Sequence, residues 1–210
     1  MTTFILGQGG HAKVLAQHFL PDVRTVGIDD HDPDQDGTII IGVGDLKKRK
    51  ELWYKYRPTH YIGNVIADSA IMSMQTKIRM WKVWGLQILD GVVIQPDVTI
   101  GENTLINTRA SIDHDCVIGA HCFVAPGAIL CGDVKIGDDC FIGAGATIVQ
   151  GVNIDDGTFV PAGTLVVGQD DMRKPIAALR GNGKVAAFCR EAFTATEVSN
   201  PSGFGTDTNP

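Results

Sequence analysis

His114 stands between two carboxylates in the stretch Ser111-Ile112-Asp113-His114-Asp115-Cys116. A carboxylate that accepts from one ring nitrogen holds the imidazole in one tautomer and makes the other nitrogen more basic, which is what a general base near neutral pH requires. By residue type alone the triplet serves equally as an exposed turn histidine beside two solvated aspartates. A second set lies near the start of the chain, where Gly7-Gln8-Gly9-Gly10-His11-Ala12 follows a short apolar run and fits the pattern G-x-G-x-x-A. Such glycines let backbone and a helix start approach phosphate. Asp29-Asp30 follow about 20 residues on, at the spacing where a carboxylate meets a ribose or base. The alternative is a plain tight turn with a solvated acidic pair. The 62 residues before the repeat described below suit one nucleotide better than a dinucleotide. His11 would line that site, whereas His18, His31, His60 and His121 read as ordinary surface or helix-face residues. Five cysteines without a CxxC pair or histidines at ligand spacing indicate neither a zinc site nor a disulfide framework.

The elements that must hold these groups follow from a repeat. From Ile88 to Val166 every sixth residue is Ile, Leu or Val, fourteen in succession. Chance gives such a run with a probability on the order of one in 10⁸. Two residues before each large aliphatic lies a small or β-branched one, Cys116, Cys122 and Cys140 among them, so these thiols read as core filler. One large and one small inward residue per hexad describes a β-helix in which three hexads close one triangular coil and residues 18 apart stack. Residues 65–87 keep the character but lose the register, and read as irregular first coils. Their bulky residues Met72, Met74, Met80, Trp81 and Trp84, with Lys77, Arg79 and Lys82 among them, read as packing between domains with a solvated basic edge. Leu105, Phe123, Phe141 and Phe159 are also 18 apart, on the outward phase; in a monomer this ladder would face water, so a homo-oligomer that packs it between subunits is expected.

Ahead of the repeat the grammar is α/β. Strands are expected at Thr3–Leu6, Val23–Ile28 and Thr38–Ile41, with helices from His11 to Phe19 and from Asp45 to Tyr56, half of a doubly wound nucleotide-binding fold. Three segments result: an α/β domain over 1–62, the β-helix over 63–167, and 168–210 as helix interrupted at Gly181-Asn182-Gly183 with a disordered tail. The net charge of −6 disfavours a nucleic-acid partner, and no apolar run is long enough to span a membrane. MTTFILGQGG has neither a basic segment nor a long apolar stretch, so a secretory signal is not expected and a cytoplasmic address is.

Taken together, Gly7-Gln8-Gly9-Gly10-His11-Ala12-Lys13-Val14, Asp29-Asp30, Ile41-Gly42-Val43-Gly44, Ile106-Asn107-Thr108 and Ser111 to Gly119 resemble the hexapeptide-repeat nucleotide-sugar acetyltransferases of the PglD, PerB and NeuD type, over residues 3 to about 167. The resemblance implies a left-handed parallel β-helix, a homotrimer, and acetyl transfer from acetyl-CoA, without a metal, to the amino group of a nucleoside-diphosphate-linked 4-amino-4,6-dideoxy sugar. It implies His114 as base, Asp115 raising its basicity, Asn107 holding the reacting groups, and the Gly132 backbone N–H facing the oxyanion. Main-chain groups of Ala144 and Ala162 would meet the pantetheine arm. Gly9, Gly10, His11, Asp29, Asp30 and Gly42 would bind the nucleotide sugar. Acetyl-CoA would lie between adjacent β-helices, so that each site draws on two subunits. The chain departs from many relatives at Phe123, where a second histidine near the acyl donor is usual, and the resemblance is silent on 168–210. An O-acetyltransferase of a sialic-acid-like sugar shares fold and histidine, and a non-catalytic nucleotide-sugar-binding scaffold is the third reading.

Overall fold

The computed structural model describes residues 2–18, 23–30, 36–74 and 83–168. The described residues belong to one compact unit; 175–210 lie outside the described residues, as do His31, Met80, Trp81 and the basic residues at 77, 79 and 82. The expected helical tail therefore lies outside the described residues as well.

The first segment runs β1 (Thr3–Leu6), α1 (Gly10–Ala16), β2 (Val23–Val26), β3 (Thr38–Ile41), α2 (Leu46–Tyr56) and β4 (Tyr61–Ile62). Its strands pair in parallel in the order β2-β1-β3-β4, so Gly7-Gly10 and Asp29-Asp30, which follow β1 and β2, share the carboxyl edge of the sheet. That edge is where open parallel sheets place their ligands. In α2 the N-cap Asp45 accepts from the Lys48 N–H at 2.7 Å, and Arg49, Leu52, Trp53 and Tyr56 form a buried stripe at helical spacing. Its charged outer face hides a buried arginine that composition does not suggest.

The solenoid has three walls of two-residue parallel strands. The first holds β5 (Val65–Ile66), β7 (Gln87–Ile88), β10 (Leu105–Ile106), β13 (Phe123–Val124), β16 (Phe141–Ile142) and β19 (Phe159–Val160). The second holds β6 (Ile71–Met72), β8 (Val93–Ile94), β11 (Ser111–Ile112), β14 (Ile129–Leu130), β17 (Thr147–Ile148) and β20 (Leu165–Val166). The third holds β9 (Thr99–Ile100), β12 (Val117–Ile118), β15 (Lys135–Ile136) and β18 (Asn153–Ile154). The aliphatic residues from Ile88 to Val166, at most 3% exposed, form one core with the small residues between them. Thiols fill it as expected: Cys116, Cys122 and Cys140 are buried and donate to the carbonyls of Cys131, Gly137 and Asp155 at 3.0–3.1 Å. The first coil is irregular because β5 pairs with β7 across 22 residues, not 18.

Each corner needs one residue at positive φ. Gly91, Asp97, Asn103, Arg109, Asp115, His121, Gly127, Asp133 and Asp139 occupy it in turn, at six-residue spacing. Glycine and short polar side chains bear this conformation best. Among the described corners only Arg109 puts a long flexible side chain there.

Two expectations are corrected. The outward ladder does not await another subunit along its whole length: Leu105 is fully buried and Phe123 is packed in the same cluster as Ala12, Val14 and Leu15 of α1. The helix lies against this end of the wall and removes Leu105 and part of Phe123 from water within one chain, while Phe141 and Phe159 stay partly exposed. Phe123, Phe141 and Phe159 do stack, at 5.0 and 5.2 Å between centroids. Likewise His121 is not a surface residue: it is buried, hydrogen-bonded to Asn103 Nδ2 at 2.9 Å, and its ring meets Trp53 of α2 edge-on at 5.1 Å. Trp84 meets the α/β segment, edge-on to Tyr61, with the Arg57 guanidinium over its ring.

Candidate active site

The column 96/114/132/150 runs along the corner between the second and third walls, and there His114 is half exposed at 52%. Its Nδ1 lies 2.7 Å from Asp115 Oδ2, and its backbone N–H donates to Asp113 Oδ1 at 2.8 Å. Asp115 takes the left-handed conformation of its corner (φ 61°), which an aspartate tolerates. With the Nδ1 proton held by the carboxylate, Nε2 of the neutral ring is left as the basic nitrogen. The hydrogen bond that Asp115 accepts from the ring, and after it the charge of Asp113, raise the His114 pKa above the ordinary 6.5.

One coil along, Gly132 lies beneath the ring. A Cβ there would sit 2.8 Å from His114 Cε1 and 2.9 Å from Nε2, so the position admits only glycine while the ring keeps its place. Asp133 N–H bonds the His114 carbonyl at 2.9 Å, which fixes the two coils in register. The N–H of Gly132 has no acceptor among the described residues. A basic nitrogen and an unpaired backbone donor thus stand within one coil spacing, an arrangement suited to acyl transfer.

Asn107, Ala144 and Ala162 lie at a different corner, between the first and second walls. Asn107 Oδ1 accepts from the Thr108 N–H at 2.8 Å, leaving its amide nitrogen without a partner among the described residues. Ala144 and Ala162 are exposed, and their N–H groups have no acceptor among those residues. At the same corner an open groove of about 720 Å³ runs from Ser69 and Asp90 past Thr108 and Arg109 to Gly127. The two corners are six residues apart, up to roughly 20 Å along an extended wall. Asn107 and His114 are not brought together within one chain.

In the α/β segment, Gly7 and Gly42 are set by packing. A Cβ on Gly7 (φ 123°) would lie 2.8 Å from the Gly42 carbonyl oxygen, and one on Gly42 would lie 2.7 Å from Ile5 Cγ2. Gly9 and Gly10 are exposed, and a Cβ on either would meet nothing within 4 Å. Asp29 and Asp30 are exposed at the same sheet edge, Asp30 folding back over Gly27. His11 Nε2 is 2.8 Å from Gln87 Oε1, and burial lowers its pKa. This segment covers the first wall through α1. Through α2 it covers the corner between the third and first walls, by Lys50 to Asp139 at 2.6 Å and Arg57 to Glu102 at 3.4 Å. The His114 corner is the vertex opposite the first wall, so one chain keeps its glycine turn and His114 on opposite sides of the solenoid.

Sequence reasoning missed Arg49, Gln87 and the true setting of His121. Arg49 is fully buried and donates to the carbonyls of Ile41 (2.9 Å), Gly85 (2.8 Å) and Asn103 (3.2 Å); burial pulls its pKa down to about 9. Only the place of Gln87, as the polar foot of the otherwise apolar column Leu105, Phe123, Phe141, Phe159, could have signalled it.

This fold is that of a hexapeptide-repeat acyltransferase. Residues 97–132 match the bacterial transferase hexapeptide (six repeats), and 133–167 the hexapeptide repeat of succinyl-transferase. PerB from Caulobacter crescentus, in complex with CoA and GDP-perosamine, is 32% identical over 80% of this chain and 89% of its own, with a TM-score of 0.70. A histidine-to-alanine mutant of GDP-perosamine N-acetyl transferase from the same organism, in complex with the same two molecules, gives 30%, 80%, 89% and 0.71. The acetyltransferase domain of PglB from Neisseria gonorrhoeae is 25% identical over 80% of this chain and 91% of its own, with a TM-score of 0.69. Among curated proteins none matches the sequence. The chain belongs to the hexapeptide-repeat nucleotide-sugar acetyltransferases. No described helix is long and apolar enough to cross a membrane, and no metal-binding group is found among the described residues.

Proposed function

We propose that the chain transfers the acetyl group of acetyl-CoA to the amino group of a nucleotide-linked 4-amino-4,6-dideoxy sugar, with His114 as general base. The observation that carries this reading is the stack of His114 on Gly132, with Asp115 on Nδ1 and a free backbone N–H below. Acetyl-CoA supplies an activated thioester. Its pantetheine amides suit the exposed, unpaired N–H groups of Ala144 and Ala162. As the amine adds to the carbonyl carbon, His114 Nε2 takes the amine proton and Asp115 steadies the imidazolium. The Gly132 N–H faces the oxyanion, and the proton returns to the departing sulfur as the C–S bond breaks. Asn107 helps hold the reacting groups, and Phe123 closes the donor side where relatives carry a histidine. Gly9, Gly10, His11, Asp29, Asp30 and the backbone near Gly42 hold the nucleotide sugar.

Because the glycine turn and His114 face opposite ways in one chain, the site is completed between copies, in a homotrimer with the corner of His114 set against the corner of Asn107 in the next β-helix. The relatives found with CoA and GDP-perosamine support the choice of co-substrate and acceptor class. The test is thiol release from acetyl-CoA over UDP-, GDP- and dTDP-linked 4-amino sugars and free sialic acid. Turnover of one nucleotide-linked amine, lost in His114→Ala, is expected. Turnover of a hydroxyl acceptor alone overturns the N-transfer reading, and failure to bind acetyl-CoA overturns catalysis.

A further inference from the structure

Gln87 is 1% exposed at the foot of the first wall's outer column, and its two amide atoms are bound to groups of different kinds. Its Nε2 lies 2.8 Å from the Ile41 carbonyl oxygen, which also accepts from Arg49 Nη1 at 2.9 Å. A carbonyl oxygen has no proton to give, so the Gln87 NH₂ must face Ile41, and Oε1 must face His11 Nε2 at 2.8 Å. Oε1 has no proton either. The hydrogen in that contact therefore sits on His11 Nε2. The ring is half-buried and the guanidinium of Arg49 is close enough to oppose a second positive charge. Nδ1 is left with a lone pair and no partner among the described residues, on the first turn of α1, which begins at Gly10 of the glycine turn.

We infer that Gln87 is a positioning residue that presents His11 to the glycine turn as a neutral hydrogen-bond acceptor, so the ligand group His11 receives is a hydroxyl or amine N–H and not a phosphate oxygen. A phosphate oxygen has only lone pairs to offer at neutral pH and would need a donor there. The inference rests on the reading of the glycine turn as the nucleotide-sugar site. It gives the solenoid a part in acceptor recognition, because the residue that sets the tautomer belongs to β7 and the residue that meets the ligand to α1.

The test has two parts. Nitrogen-15 spectra of histidine-labelled full chain without ligand, with His11 assigned by loss of its signals in His11→Gln, are expected to show Nε2 protonated and Nδ1 bare from pH 6.5 to 8. A protonated Nδ1 in that range overturns the inference even if neither Gln87 variant folds. The second part uses Gln87→Glu, whose carboxylate brings a second proton onto the ring and turns Nδ1 into a donor. KM for the nucleotide-linked amino sugar that the enzyme turns over is expected to rise about tenfold with kcat little changed, whereas Gln87→Met, which leaves the ring neutral, costs less. Tighter binding of sugar nucleotide or of inorganic pyrophosphate to Gln87→Glu would mean a phosphate contact and overturn the inference. If no nucleotide sugar binds the wild-type chain while Nδ1 is bare, the functional reading fails, the ligand half of this inference falls with it, and the tautomer stands.

Discussion

The imidazole of His114 lies over the Cα of Gly132, 18 residues later, in the space where any other residue would carry its Cβ. Gly132→Ala keeps the backbone donor and moves only the ring. We expect kcat to fall roughly 10²-fold, the scale of a misplaced catalytic group. The half-exposed ring can swing aside, so stability should change by less than about 1 kcal/mol. Single-turnover acetyl transfer and thermal unfolding of the same variant check both; equal loss of fold and activity would refute the positional argument.

The pH profile follows from Asp115 and Asp113. Since they raise the His114 pKa, the free base is lost as pH falls through a value above 6.5, and kcat/KM should decline on that acid limb. Asp115→Asn keeps a residue that tolerates positive φ but removes the charge. Its acid limb should move to lower pH and its plateau should drop roughly tenfold. An unmoved limb would assign the titration to another group.

Separation of His114 and Asn107 onto two corners makes a mixing experiment decisive. Chains carrying His114→Ala and chains carrying Asn107→Ala, each nearly inactive alone, should recover activity when co-expressed. A mixed oligomer holds sites with an intact His114 from one copy and an intact Asn107 from the next. Sites built within single chains would show no recovery.

Arg49 clamps three carbonyls from β3, the residues before β7, and the corner at Asn103, so it joins α2, the sheet and the solenoid. Arg49→Met leaves those oxygens buried without that donor. The expected loss is on the order of 3 kcal/mol, read as a lower urea midpoint.

His121 gives the fold an acid limit. Its pKa is lowered, first by burial and then by Lys50, while an unfolded histidine takes its proton near pH 6.5. This contribution is therefore absent above about pH 7, and stability is lost as pH falls through 6.5 toward the lower folded value. His121→Asn, which suits the positive φ, should flatten the stability curve between about pH 5 and 6.5 relative to wild type, at some cost in packing on Trp53.

Much of this protein was legible without coordinates because its core repeats. A two-residue strand every six residues leaves one choice of inward face, so the walls, the coil of 18, the thiols in the core and the pairing of His114 with Gly132 all follow from spacing. The α/β strands at Thr3–Leu6 and Thr38–Ile41 were readable too, since short apolar runs between glycine turns have few alternatives. What spacing could not decide was how the two segments dock. Whether Leu105 and Phe123 face water, whether His121 is a surface residue, and whether Arg49 is solvated depend on helices α1 and α2 settling against one wall and one corner. Those contacts join residues such as Lys50 and Asp139 that no local pattern connects. The distribution of the candidate site over two corners is likewise tertiary: the sequence supplies each column, and only the triangular closure of the coil shows that they face apart.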